Sequence, residues 1–241
     1  MRPRLLHRTA DFAHWQQYMA SRAASVQSPM LARYFAAGLP LASAAISEVS
    51  LVALDIETTG LDPRRDAIVS IGLVPFDSRR VYLARRRYWI VRPSCALTGR
   101  SVTLHHITDT DIAHAPDFLT VLPDLLDAMA GHVPVVHYRM IERLFLDAAV
   151  THGLQETFRF PTIDTMEIEA RHYRSSLWAR WKDWLGYPRV SIRLNDSRAR
   201  YRLPQYQPHH ALVDALATAE LFQAQIATHY RCDTPVGSLC G

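Results

Sequence analysis

The chain has 241 residues, 49% of them hydrophobic, with 14 prolines and 9 glycines, so one domain can bury a full core beside a small appendage and compositional disorder is excluded. A net charge of +4 and a pI near 9.1 favour an anionic partner over a cationic one. Cys95, Cys232 and Cys240 form no CxxC, Met1 to Arg8 lacks the apolar stretch of a secretory signal, and no apolar run reaches membrane-span length; the expectation is a cytoplasmic protein with reduced thiols and no membrane partner.

Residues 1–48 read as a two-helix appendage. Thr9-Ala10-Asp11 caps a helix with Phe12, Trp15, Tyr18 and Met19 on one stripe, and Ser28-Pro29 starts a second with Met30, Leu31, Tyr34 and Phe35 together. Gly38-Leu39-Pro40 ends it. These aromatic faces are expected to pack on the main domain, with a protein-partner surface as the alternative. The main domain spans 49–230. Strands are expected at 51–57, 66–75 and 80–91, then a helix at 118–129 with Leu119, Leu122, Leu125 and Leu126 at helical spacing. A fourth strand at 133–138, a helix at 139–150, a short strand at 161–165 and helices at 166–174 and 211–228 complete an α/β sheet covered by helices. Residues 231–241 are expected to form a flexible tail.

The chemistry starts in Leu51-Val52-Ala53-Leu54-Asp55-Ile56-Glu57-Thr58-Thr59-Gly60. A strand points alternate side chains to one face, so Asp55 and Glu57 leave the same side and Ile56 the other. Thr58-Thr59-Gly60 breaks the strand and leaves both carboxylates at its carboxyl end, where α/β sheets gather ligands. Two carboxylates a few ångströms apart repel by about 4 kcal/mol at an effective dielectric near 20. That repulsion calls for a cation, and oxygen-only ligands favour Mg²⁺ or Mn²⁺. Glu142 in Val135-Val136-His137-Tyr138-Arg139-Met140-Ile141-Glu142 adds a carboxylate at the start of a helix. Asp214 lies on the last helix, off the apolar stripe of Leu212, Ala215, Leu216, Ala219 and Phe222. His209 precedes Asp214 by five residues, about 140° apart on a continuous helix, so His209 belongs in the loop after Pro204 and Pro208. An imidazole there can accept a proton at neutral pH without ligating a metal.

These three segments, in this order, resemble the three exonuclease motifs of the DEDD superfamily, in its histidine subclass, which contains the proofreading subunit of bacterial DNA polymerase III. The resemblance covers roughly 49–228. It implies a ribonuclease H-like mixed five-stranded sheet with an antiparallel second strand, flanked by helices. It also implies 3′→5′ release of nucleoside 5′-monophosphates using two Mg²⁺ or Mn²⁺ ions. Asp55, Glu57 and Asp214 resemble the ligands of the first metal, with Asp55 bridging to the second, and His209 resembles the general base. Ile56 and Thr58 resemble residues that receive the 3′-terminal nucleotide, and Leu61 one that wedges beside its base. Leu104-His105-His106-Ile107-Thr108 resembles the family's I-H-G-I-T, which places His105 near the terminal base or sugar, with His106 where glycine is usual. Asp164-Thr165 matches a structural D-T. The second motif departs: the family reads H-N-x-x-F-D, so Tyr138 replaces Asn and Glu142 replaces Asp, one methylene longer and suited to an outer-sphere or second-metal role rather than to a tight first-metal one.

The substrate expected is nucleic acid with a free 3′ end, single-stranded DNA first. RNA or short oligonucleotides, or a weakly active binding module of a polymerase or repair assembly, are the alternatives. Arg79-Arg80, Arg85-Arg86-Arg87 and Arg198 to Arg202 read as phosphate-binding patches, or equally as charge that protects a sheet edge. Trp178, Trp181 and Trp184, interleaved with Arg180 and Lys182, can stack on bases or fill the core.

Overall fold

The computed structural model describes residues 12–94, 109–175, 181, 185 and 187–240. Its centre is a mixed five-stranded sheet of order β3-β2-β1-β4-β5. The strands are β1 (Leu51–Thr58), β2 (Ile68–Phe76), β3 (Arg87–Ile90), β4 (Val133–Val136) and β5 (Ile163–Asp164). β2 is antiparallel to both β1 and β3, whereas β4 runs parallel to β1 and β5 parallel to β4. The flanking helices are α1 (Phe12–Ser25), α2 (Pro29–Ala36), α3 (Asp109–His114), α4 (Phe118–Met129), α5 (Met140–Leu154), α6 (Thr165–Tyr173), α7 (Leu194–Arg200) and α8 (Ala211–His229).

Alternation along β1 divides the interior into two cores. Val52, Leu54 and Ile56 face one side, where they meet Leu31, Tyr34 and Phe35 of α2, Leu122 and Leu125 of α4, and Phe145 and Leu146 of α5. Leu51 and Ala53 face the other, against Ala215, Ala219 and Phe222 of α8. α1 contributes to both, with Met19 in the first core and Phe12 in the second. The aromatic faces of α1 and α2 therefore pack on the main domain. The cap expected at Thr9 to Asp11 lies outside the described residues.

Four local expectations are corrected. The third strand is not continuous over 80–91: a 3-10 turn at Leu83–Arg85 interrupts it, and regular pairing begins at Arg87. Pro75 accounts for the break. Its carbonyl accepts the Tyr82 N–H at 2.9 Å toward this edge, but proline has no N–H to return to the ladder. β4 ends at Val136 rather than at 138, because Tyr138 takes a left-handed φ of +87°. The Arg198–Arg202 patch is largely structural. Arg198 is buried, donating to the carbonyls of Ala217 (2.6 Å) and Pro204 (2.7 Å) and to Glu220 (2.8 Å), while Arg200 pairs with Glu169. Finally, residues 231–240 do not fray. Ala45 bridges Pro235, Ile163 bridges Cys240, and Val236, Leu239 and Cys240 are buried in the second core because they are its apolar cover beside Ile46.

One close approach fixes α8 on the sheet. Gly72 lies opposite Asp55 in the β1–β2 ladder, and a Cβ on it would stand 2.2 Å from the Ala211 carbonyl carbon and 2.3 Å from the Leu212 nitrogen. Only a residue without a side chain lets the first turn of α8 lie against the strand. Gly72→Ala should therefore cost about 1–3 kcal/mol, read as a lower denaturation midpoint, because backbone on both sides must move. Truncation after Asp233 should cost about 3 kcal/mol or more through the loss of buried Val236 and Leu239, read as a lower melting temperature.

Candidate active site

Asp55 and Glu57 emerge from the carboxyl half of β1 on the α8 side of the sheet, as the alternation requires. α8 begins at Ala211 against Gly72 of β2, opposite Asp55 of β1, and Asp214 stands in its first turn. Each of Asp55, Glu57 and Asp214 offers a carboxylate oxygen, and the three oxygens lie within 4.8 Å of one another. Among the described residues this is the group of acidic or imidazole side chains placed to hold a metal ion.

His209 lies in the loop before α8, as expected, with a left-handed φ of +69°. Its side chain is exposed, while its backbone N–H donates to Asp214 Oδ2 at 2.8 Å. The Asp214 carboxylate thus doubles back past the helix N-terminus to a loop donor one residue before the N-cap His210, which fixes the loop that carries the imidazole. His210 stacks on Tyr88 of β3, with ring centroids 4.7 Å apart and 23° between planes. That stack and the Gly72 contact together hold the start of the α8 first turn. Neither was read from the sequence. The signal was present in a glycine inside an apolar strand, which marks close backbone approach.

Glu142 enters from the opposite side, in the first turn of α5, and is buried with its Oε2 lacking a hydrogen-bond partner among the described residues. It stands outside the 4.8 Å trio. It is nevertheless the leading charged neighbour acting on Asp55. Asp164 sets its position. This carboxylate accepts the N–H groups of Tyr138 (3.1 Å) and Arg139 (3.0 Å) at the start of α5, and of Met166 (2.9 Å) in α6. Thr165 adds a bond from its hydroxyl to the Val136 carbonyl at 3.0 Å. The pair is a packing and hydrogen-bonding device, as expected. His137 lies beside it, between Thr165 Oγ1 (2.8 Å) and the Ile192 carbonyl (3.0 Å). Burial lowers its pKa to about 4, so the ring is neutral and structural.

The electrostatics follow from crowding acids out of water. Burial first, then the charges of Glu142, Asp214 and Glu57, hold the Asp55 carboxyl well above its ordinary range. Burial likewise raises Glu142, with Asp164 adding to it. Burial and Glu57 raise Asp214, against the opposing hydrogen bonds from His209 and His210.

Of the other residues expected at the site, Ile56 is buried beneath β1, and the Thr58 hydroxyl donates to the Gly60 carbonyl at 2.6 Å. Leu61 is 82% exposed on the loop that follows. His105 falls outside the described residues, as do Trp178, Trp184, Arg180 and Lys182. Trp181 is half exposed, and Arg79, Arg80, Arg85, Arg86 and Arg87 are exposed around the β3 edge.

Comparison with known proteins agrees with this geometry. A family model described as exonuclease (RNase_T) matches residues 52–222, the span from β1 to α8. The DNA polymerase III subunit epsilon of Treponema pallidum (strain Nichols) is 27% identical over 181 residues, covering 75% of this chain and 78% of the relative. The PolC-type DNA polymerase III of Thermotoga petrophila is 27% identical over 173 residues; the match covers 72% of this chain but only 12% of that much longer protein. The nuclease domain of 3′hExo, a DEDDh family member solved with rAMP, superimposes with a TM-score of 0.60 at 16% identity, over 76% of this chain and 94% of that one. With the family model spanning most of its length, and its ribonuclease H-like sheet carrying the acidic trio, the chain belongs to the exonuclease family, as a 3′–5′ exonuclease of the DEDD type.

Proposed function

We propose that the protein hydrolyses the terminal phosphodiester of single-stranded DNA from its 3′ end, releasing nucleoside 5′-monophosphates, with two Mg²⁺ or Mn²⁺ ions and His209 as general base. The observation that carries this reading is the meeting of Asp55, Glu57 and Asp214 within 4.8 Å at the carboxyl end of the central strand. The donor set suits a hard divalent cation, being all oxygen, crowded, and flanked by the buried, unpartnered Oε2 of Glu142. Asp55, Glu57 and Asp214 would hold one ion, and Asp55 with Glu142 the second. When bound, such ions polarise the scissile phosphate and acidify the attacking water.

The side chains supply the rest. His209, exposed on a loop tied to Asp214, takes the proton of the water that attacks phosphorus, and the 3′-oxygen of the preceding nucleotide departs. Ile56 and Thr58 shape the floor for the terminal nucleotide, and Leu61 presents an apolar edge to its base. Exposed arginines near the β3 edge offer phosphate contacts that carry no sequence preference. Similarity to a DNA polymerase III subunit favours DNA over RNA.

The decisive assay follows 3′-labelled single-stranded DNA with Mn²⁺, beside RNA of the same sequence. Wild type should release mononucleotides from DNA, and Asp55→Ala should lower the rate by at least about a hundredfold. Equal binding by both proteins without cleavage by either would leave a binding module instead. Faster turnover of RNA would reassign the substrate.

The raised carboxyl pKa values give a second test through proton linkage. The folded, metal-free protein holds these protons more tightly than the unfolded chain. The resulting stability is complete below the ordinary value of 3.8 for Asp55 and is lost as pH rises through the elevated folded value. In EDTA, Asp55→Asn should melt above wild type at about pH 8, with the gap closing toward about pH 4. Excess Mn²⁺ should raise the wild-type melting temperature and reverse that order, since the metal binds only the folded site. A gap independent of pH and metal would argue against a cation site here.

A further inference from the structure

Tyr138 combines three properties that its neighbours do not share. It stands two residues beyond β4, the strand parallel to β1, and four residues before Glu142, so it borders the carboxyl ends that carry the acidic site. Its φ of +87° lies in the left-handed region, which strains a residue with a large side chain. And the ring is not consumed by packing, since 46% of the residue surface is exposed. Glycine would adopt this backbone freely, and asparagine with little penalty. The conformation is imposed from outside, by the Asp164 carboxylate accepting the N–H groups of Tyr138 and Arg139. Strain of this kind persists where surrounding structure over-determines it, and it gathers at sites that use it.

We propose that Tyr138 is a stacking platform for an unpaired base of the substrate strand next to the nucleotide being removed. This inference rests on the nuclease reading above and deepens it. An aromatic face accepts any base, so it adds affinity without sequence preference. It also discriminates by pairing state, because a base within a duplex already has both faces covered by its neighbours. Leu61, on the loop leaving β1, supplies a second exposed apolar group beside the same strand ends. Both exposed residues follow the carboxyl ends of the parallel neighbours β1 and β4, the end of the sheet at which the acidic trio stands. Tyr138 thereby becomes the element that selects a frayed or single-stranded 3′ end over a fully paired one.

The test compares wild type, Tyr138→Phe and Tyr138→Gly on single-stranded DNA, intact or abasic at the second nucleotide from the 3′ end. Tyr138→Gly should melt at or above wild type, because glycine relieves the backbone. It should raise KM about tenfold on intact strands, as expected for the loss of one stacked base, with a smaller change in kcat. Tyr138→Phe should keep wild-type KM. The abasic strand should carry a similar penalty for wild type and the Phe variant, and none for the Gly variant. Anisotropy of labelled oligonucleotide with Ca²⁺ in place of Mn²⁺ reads the same differences without turnover. A wild type that binds with this pattern but never cleaves would sink the nuclease reading and leave the stacking surface standing. An unchanged KM and affinity in Tyr138→Gly, an abasic penalty equal in all three proteins, or a lower melting temperature for the Gly variant would overturn the proposal.

Discussion

The site depends on a contact between two stretches of backbone. β1 can present Asp55 and Glu57 by itself, but the third carboxylate of the trio must arrive from a helix that begins more than 150 residues later. Gly72 makes that arrival possible. The missing side chain opposite Asp55 lets the Ala211–Leu212 peptide rest on the sheet, so Asp214 in the same helical turn comes within a few ångströms of both β1 acids. The Tyr88–His210 stack and the bond from His209 N–H to Asp214 then stop that turn from rotating away. Carboxylates brought this close oppose their own assembly, and the apolar packing of Ala215, Ala219 and Phe222 against Leu51 and Ala53 offsets the opposition.

The second motif is held by a different device. Asp164 ends β5, caps α6 and grips the first residues of α5, so one carboxylate joins three elements around the entrance of Glu142. Its own capacity is filled by backbone donors, which separates it from the acidic trio. The longer reach of glutamate at 142 suits this arrangement: its carboxylate acts on Asp55 from the start of α5 without joining the trio.

The acidic site could be read from the chain because its rules are local. A period of two sets the common face of Asp55 and Glu57, and a period of 3.6 with two prolines puts His209 off the helix. Most element positions were readable for the same reason, as in α4 and α8. What escaped depends on partners distant in sequence. Arg198 looks like a surface cation until Glu220 and the carbonyls of Ala217 and Pro204 enclose it. The segment after Tyr230 looks like a loose end until Ile46 and Ile163 provide an apolar seat for it. The interruption before β3 turns on which edge of β2 the missing N–H of Pro75 faces, and that is settled only when the strands are paired. The short helix α7 carries little apolar periodicity and is held largely by the ion pairs of Arg198 and Arg200.

α1 contributes Phe12 to the core on one side of the sheet and Met19 to the core on the other. A helix anchored in both layers cannot detach without loosening each of them. The division of the chain at residue 48 is therefore one of sequence, and it does not mark independent folding units. Such double anchoring couples the opening of α1 to that of β1, so the amide hydrogens of both should exchange through one shared global unfolding.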